Sequence, residues 1–138
     1  MRKEDSHKSE LISQLLYGDC FKIISKNKEW LQITTLLDKY TGWIDCKQSQ
    51  IIIETDAEEI SFKTNTYSTN IVDYVQTSKN KLTTLILGSN IGAARVLNHV
   101  FNSDSIKGKK PKSNLLKIAS LYLNSPYLWG GKTPMGID

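Results

Sequence analysis

A chain of 138 residues with 39% apolar and 23% charged residues has the make-up of a globular protein, one ordinary domain or two small ones, and not of a disordered segment. Its 18 Lys plus Arg against 14 Asp plus Glu leave a formal net charge of +4. The one dense cationic run, Lys107 to Lys112, is broken by Gly108 and Pro111 and reads as a solvated linker, which argues against a nucleic-acid partner. No apolar run is long enough to span a membrane, and Met1 to His7 lacks the apolar centre of a signal peptide, so the chain as written is expected in the cytoplasm.

The first stretch, residues 1–54, reads as short strands with turns at close spacing. Two strand-like runs, Leu11 to Tyr17 and Cys20 to Ser25, flank a turn signal at Gly18-Asp19. Lys26-Asn27-Lys28 is a second turn, and Glu29 to Thr35 alternates as a strand. Asp38 to Gly42 turns again before Trp43-Ile44-Asp45. Such spacing predicts a small barrel, in which a large side chain such as Trp30 belongs to the core and Tyr40, on a turn, lies exposed. The two cysteines, Cys20 and Cys46, have neither metal-ligand nor redox spacing. A disulfide between them is open but not implied, and each is expected to behave as a small hydrophobe.

Residues 55–108 carry weaker signals. Thr55 to Ile60 is acidic and reads as a helical turn or a linker, and Phe62 to Tyr67 as weakly strand-like. Ile71 to Val75 is ambiguous, and Lys81 to Leu87 is a strand that ends at Gly88-Ser89-Asn90. Val96 to Phe101 is a further strand candidate, with His99 on it as a structural histidine; His7, in the polar opening, is expected to be simply exposed.

Residues 109–138 begin with the linker and a helix. Ser113 is a good N-cap, Leu115, Ile118, Ala119 and Tyr122 share one face at helical spacing, and Pro126 ends the run. A helix this short is marginal without something to pack on. The loop Pro126-Tyr127-Leu128-Trp129-Gly130-Gly131-Lys132-Thr133-Pro134-Met135-Gly136-Ile137-Asp138 is too rich in Gly and Pro for a helix or a central strand. Gly130 and Gly131 either let a substrate approach the main chain or make a tight turn.

This helix and loop resemble the entrance to the active site of the NlpC-type cysteine peptidases, papain-like enzymes that cut peptidoglycan stem peptides; the match from Tyr127 to Asp138 is nearly gapless. Upstream, Arg2, Ser6, Ser9, Leu15-Leu16-Tyr17-Gly18, Trp30 and Tyr40-Thr41-Gly42-Trp43-Ile44 resemble the bacterial SH3-like domains that precede such catalytic domains. In those domains a short strand precedes the position of Arg2, so the resemblance implies a first domain without its first strand and with an open edge. The expected architecture is mainly β: a first SH3-like barrel over 1–54, a second, degenerate one over 55–108, then the linker and the first helix and loop of a papain-like α+β catalytic domain over 109–138.

The resemblance implies a γ-D-glutamyl-L-diamino-acid endopeptidase of murein peptide recycling, with no cofactor and no metal. Its nucleophilic Cys would follow Asp138 directly, at the start of a helix whose N-terminus lowers the thiol pKa. Asp138 would bind the free amino terminus of a stem peptide that begins with L-Ala, and Tyr127 would help to position the scissile carbonyl. The family's His lies after its Cys, so neither His7 nor His99 corresponds to it. No catalytic residue is therefore expected in this chain, and no hydrolysis by it. A non-catalytic module that binds wall peptide or glycan is the alternative, and a binder of Pro-rich peptides is disfavoured.

Overall fold

The computed structural model describes residues 1–64, 66–108 and 113–138. Lys109 to Lys112 of the cationic run lie outside them. The chain is mainly β, with few helices.

Three strands, β1 (Phe21–Asn27), β2 (Trp30–Thr35) and β3 (Thr41–Asp45), form an antiparallel sheet in that order. Lys28 and Lys39 make the two turns with positive φ, at 50° and 57°. The register pairs Leu31 with Ile44 and Ile33 with Gly42, so these residues share one face; it also pairs Trp30 with Asp45 and Gln32 with Trp43 on the other. Leu31, Ile33 and Ile44 are buried, with Met1, Leu15, Phe21 and Cys46 packed on them. Burying a side chain such as Ile33 stabilises by about 1.5–3 kcal/mol.

That parity corrects the expectation for Trp30. Trp30 stands on the outer face, half-buried, because the core positions of β2 are its odd-numbered residues. His7 is more than an exposed residue. Its ring lies 4.7 Å from that of Trp30, and its Nε2 is 3.8 Å from an Asp45 carboxylate oxygen. Tyr40 is exposed, as its place on a turn predicts.

Residues preceding β1 run along the sheet rather than forming a strand of their own. Arg2 exchanges backbone hydrogen bonds with Trp43, at 2.7 and 2.8 Å, and bridges to Leu11. The outer side of β3 is thus paired at Arg2. The segment Leu11 to Tyr17 has one isolated bridge instead of the expected strand, and Gly18 makes its turn at φ 84°.

The next elements are α1 (Glu54–Glu58), continued by a wider π-type turn over Glu59–Thr64, then β4 (Thr66–Ser68), β5 (Val72–Gln76), β6 (Leu82–Ile86), α2 (Gly92–Val96) and β7 (Ser105–Lys107). β4 pairs with β7, and β5 with β6, both antiparallel. Val75, Leu85, Ile91 and Ala94 are the core here, with Tyr17 and Phe101 packed against it.

Two strand expectations fail in this region. Phe62 to Thr64 is helical, and the strand begins only at Thr66. Val96 to Phe101 is the end of α2 and a turn, of which only Val100 bridges, to Gln76. In the second case α2 starts just ahead of the run, where Asn90 Oδ1 accepts the Gly92 N–H at 3.0 Å beside the N-cap Ile91, and Asn98 at φ 53° closes the helix. Asn90 also donates its backbone N–H to Tyr17 O and its side-chain amide to Ile60 O, both at 2.8 Å. One residue thereby ties the region before β1, the π-type turn and α2 together.

Last come α3 (Ser113–Ser120), β8 (Lys132–Thr133) and β9 (Gly136–Ile137). α3 lies where helical spacing predicts it and ends through tight turns at residues 121–124, with Asn124 at φ 66°. Of its predicted apolar face, Ile118 and Tyr122 are half-buried, while Leu115 and Ala119 are exposed. Among the described residues no helix is long and apolar enough to cross a membrane.

Candidate functional site

The terminal loop is a closed hairpin. β8 and β9 pair Lys132 with Ile137 and Thr133 with Gly136, with Pro134-Met135 as the turn between them. Tyr127 bridges Ile137 in parallel, Leu128 N–H donates to Ile137 O, and Gly131 N–H donates to Leu128 O. The strand that carries Tyr127 and the one that leads to Asp138 are therefore neighbours, and the two predicted site residues sit at one end of one loop.

Asp138 is exposed. Its Oδ2 accepts the Gly130 N–H at 3.0 Å, and it makes no ion pair among the described residues. The nearest candidate on the loop itself, Lys132, is directed elsewhere: its Nζ donates to Asp38 at 3.1 Å. Asp138 thus presents a held carboxylate without a counter-charge among the described residues, the form that suits a cationic group of a ligand. Tyr127 is 72% exposed and Trp129 55%, which makes an aromatic wall at the same loop.

Gly130 and Gly131 serve packing. A Cβ on Gly130, at φ 70°, would sit 2.8 Å from the main chain of Ile12, and one on Gly131 would run into the Gly136 carbonyl. Of the two readings the sequence left open, the tight turn is the one observed, pressed between the loop's return strand and residues 12–13.

The loop is fastened to the β1–β3 region by contacts the sequence did not single out. Lys132 N–H donates to Gln14 Oε1 at 2.8 Å. Asp38, which receives Lys132 Nζ, also accepts from Thr35 Oγ1. The Thr35 bond and then the Lys132 contact hold the Asp38 carboxyl below its ordinary range. No sequence spacing signals Asp38 or Gln14, since their partner is on the order of a hundred residues away and only the fold joins them.

The loop also reaches an open cleft of about 830 Å³ between the β1–β3 region and the β4–β7 region, lined among others by Tyr17, Asp19, Thr84, Ser89, His99 and Thr133. Tyr17 Oη and His99 Nδ1 lie 3.0 Å apart across it. Burial pushes Tyr17 up to about 12. Burial also raises Asp19, although the Leu16 N–H it accepts opposes the shift.

The chain's two cysteines are Cys20 and Cys46, both free and half-buried. Burial pushes the Cys20 thiol up, opposite to what a thiolate nucleophile needs. Among the described residues neither histidine hydrogen-bonds a cysteine: His7 lies on Trp30 and beside Asp45, and His99 on Tyr17. Among the described residues no cluster of His, Cys, Asp or Glu could hold a metal ion.

Residues 1–48 match the family described as the bacterial dipeptidyl-peptidase Sh3 domain. They form a bacterial SH3-like domain. Across most of its length the chain is also similar to "Dipeptidyl-peptidase 6" of Lysinibacillus sphaericus, at 24% identity over 166 residues that cover 94% of this chain. It spans 58% of that relative's length. The SH3-like match covers the region on which the terminal loop is fastened.

Proposed function

We propose that this chain is the N-terminal part of a cell-wall peptide hydrolase of the NlpC cysteine-peptidase type, one that cleaves the bond between γ-D-Glu and the diamino acid of peptidoglycan stem peptides in murein recycling. Residues 109–138 would then be the linker and the start of the catalytic domain, behind two SH3-like modules. One observation carries the reading. The Tyr127 to Asp138 loop is presented outward, on the flank of an SH3-like domain of the dipeptidyl-peptidase type, with an unpaired carboxylate and an exposed phenol at its end.

In this reading Asp138 takes the protonated amino terminus of a peptide that begins with L-Ala, and Tyr127 lines the place of the scissile carbonyl. The SH3-like domain holds the loop in position through Gln14 and Asp38. A thiolate supplied beside Asp138 would attack the γ-glutamyl carbonyl.

Two measurements test this. Incubated with L-Ala-γ-D-Glu-diaminopimelate, the chain is expected to release no L-Ala-γ-D-Glu; release would overturn the assignment of the nucleophile. In an NMR titration the same tripeptide is expected to shift the signals of Tyr127 and Asp138, and Asp138→Asn to weaken binding by about tenfold, roughly one lost charge-assisted hydrogen bond. Equal affinity for an N-acetylated tripeptide would refute the role of Asp138. The large cleft between the two regions favours one second reading, a non-catalytic module for wall peptide or glycan, in which tripeptide or glycan shifts Tyr17 and His99 and leaves Asp138 unmoved.

A further inference from the structure

Residues 3–10 fold back over one end of the β1–β3 sheet. The base of this loop is held by its own hydrogen bonds: Lys3 N–H donates to Glu10 O at 3.1 Å, and Glu4 N–H to Ser9 Oγ at 2.9 Å. Its tip meets the sheet at three places. Asn27 Nδ2 donates to the Asp5 carboxylate, the His7 ring lies on the Trp30 ring, and His7 Nε2 faces Asp45. These three sheet residues form one row. The register pairs Asn27 with Trp30 and Trp30 with Asp45, and directly opposed residues share a face. The loop is thus a strap across the last residue of β1, the first of β2 and the last of β3.

Two contacts of the strap depend on a proton. Asp45 uses its two oxygens differently: Oδ1 accepts the Lys47 N–H at 2.9 Å and caps the short helical turn Cys46–Gln48, whereas Oδ2 is the atom 3.8 Å from His7 Nε2. The Asp45 side chain is only 15% exposed, and among the described residues His7 is the one basic group within ion-pair distance of it. Of the other charges at this end, Lys47 is engaged by Glu29 at 3.7 Å and Lys3 by Glu10 at 3.5 Å, and Arg2 Nη1 donates to Ser9 O at 2.9 Å. Glu4 and Lys8 on the loop, and Lys26 and Lys28 at the β1–β2 turn, make no ion pair among the described residues.

A neutral imidazole gives Asp45 no counter-charge and Trp30 only a ring contact. An imidazolium adds an ion pair to the first and a cation–π contact to the second. The His7 side chain, 74% exposed, has room to leave.

We propose that this strap is a proton-operated cover on the outer face of the sheet. Protonation of His7 closes it on Trp30 and Asp45. Loss of the proton frees the ring and uncovers the Trp30 indole, on the face that it shares with Trp43. The contacts that the imidazolium adds are present below the ordinary histidine pKa of about 6.5 and are lost as pH rises through that range. The Asp5 contact with Asn27 and the bonds at the base hold the loop in both states, so the His7 ring moves and the backbone stays.

The test is an NMR titration of the isotope-labelled chain from about pH 5.5 to about pH 8, on either side of the ordinary histidine pKa. Broadening of the Trp30 ring signals by a neutral gadolinium chelate in the solvent reads how far the ring is uncovered. It is expected to rise by about twofold or more across the range, as fits the loss of a cation–π contact at an exposed site. His7→Gln is expected to leave Trp30 uncovered throughout, and His7→Lys, which keeps a cation at every pH tested, to leave it covered throughout. Asp45→Asn keeps an oxygen for the Lys47 N–H and is expected to shrink the change. Broadening that does not vary with pH, or that varies alike in His7→Gln, would overturn the proposal. So would a His7→Lys chain as uncovered as His7→Gln, or a full-sized change in Asp45→Asn.

Discussion

Gly130 has its φ in the left-handed region and the main chain of Ile12 and Ser13 against the place where a side chain would begin. Both features demand glycine: the torsion is unfavourable for an L side chain, and backbone, unlike the end of a flexible side chain, does not move aside. Gly130→Ala is expected to destabilise the chain by about 1–3 kcal/mol in urea denaturation, or to release the loop with little change in the midpoint. Trp129 fluorescence separates the two results. Gly108, at φ 70° but with nothing near it, is the control: alanine there meets only the torsional cost.

At the scale of elements, the loop and the SH3-like domain are joined by the pair of Lys132 and Asp38, and the pair is pH-sensitive in a definite direction. The Asp38 carboxyl is held below its ordinary value, first by Thr35 and then by Lys132. Its contribution is therefore present above the ordinary carboxylate pKa and lost as pH falls through the depressed one. Asp38 is mostly exposed, so the effect on global stability is small. Protease cleavage between Ser125 and Asp138 is expected to speed up as pH is lowered below about 4, the ordinary carboxylate pKa, and Asp38→Asn to be cleaved fast at neutral pH already. A rate independent of pH in both proteins would show that the Gln14 contact alone holds the loop. This attachment could not be read from the chain in order, because it joins a turn to a loop far downstream. What could be read were the elements set by local rules. Alternation over Trp30 to Thr35 gave β2, helical spacing with a Pro stop gave α3, and Gly18 gave its turn. Trp30 departs from its expected place in the core because alternation says which residues share a face but not which face is buried, and the smaller Leu31, Ile33 and Ile44 take the inside. The segment Val96 to Phe101 failed for another reason. Its β-branched and aromatic residues favour a strand, yet α2 begins at Gly92 just ahead of them and runs into Val96. Tyr127 and Asp138 were legible as a motif; Gln14 and Asp38, which position their loop, were not.

At the scale of the molecule, the SH3-like domain and the β4–β7 region meet across Tyr17. Its phenol is within hydrogen-bond distance of His99, and burial holds it at about 12, above its ordinary 10.0. A folded state that keeps this proton longer than the unfolded chain loses stability as pH rises from about 10 to about 12. Urea midpoints are expected to fall over that range and to fall less in Tyr17→Phe. The variant itself gives up a net contribution of about 1 kcal/mol at neutral pH by leaving His99 Nδ1 without its partner. Identical alkaline profiles for the two proteins would mean that another group governs the loss.

The position of Asn90 decides how the chain comes apart on heating. A residue that hydrogen-bonds Tyr17, Ile60 and Gly92 at once cannot be released from one partner while the others stay in register. Two small regions that might have melted in succession are thereby coupled into a single transition. Calorimetry is expected to show one peak, with the van't Hoff enthalpy equal to the calorimetric one, and Asn90→Ala, which keeps the backbone bond to Tyr17 and loses the side-chain bonds to Ile60 and Gly92, to lower its midpoint without splitting it.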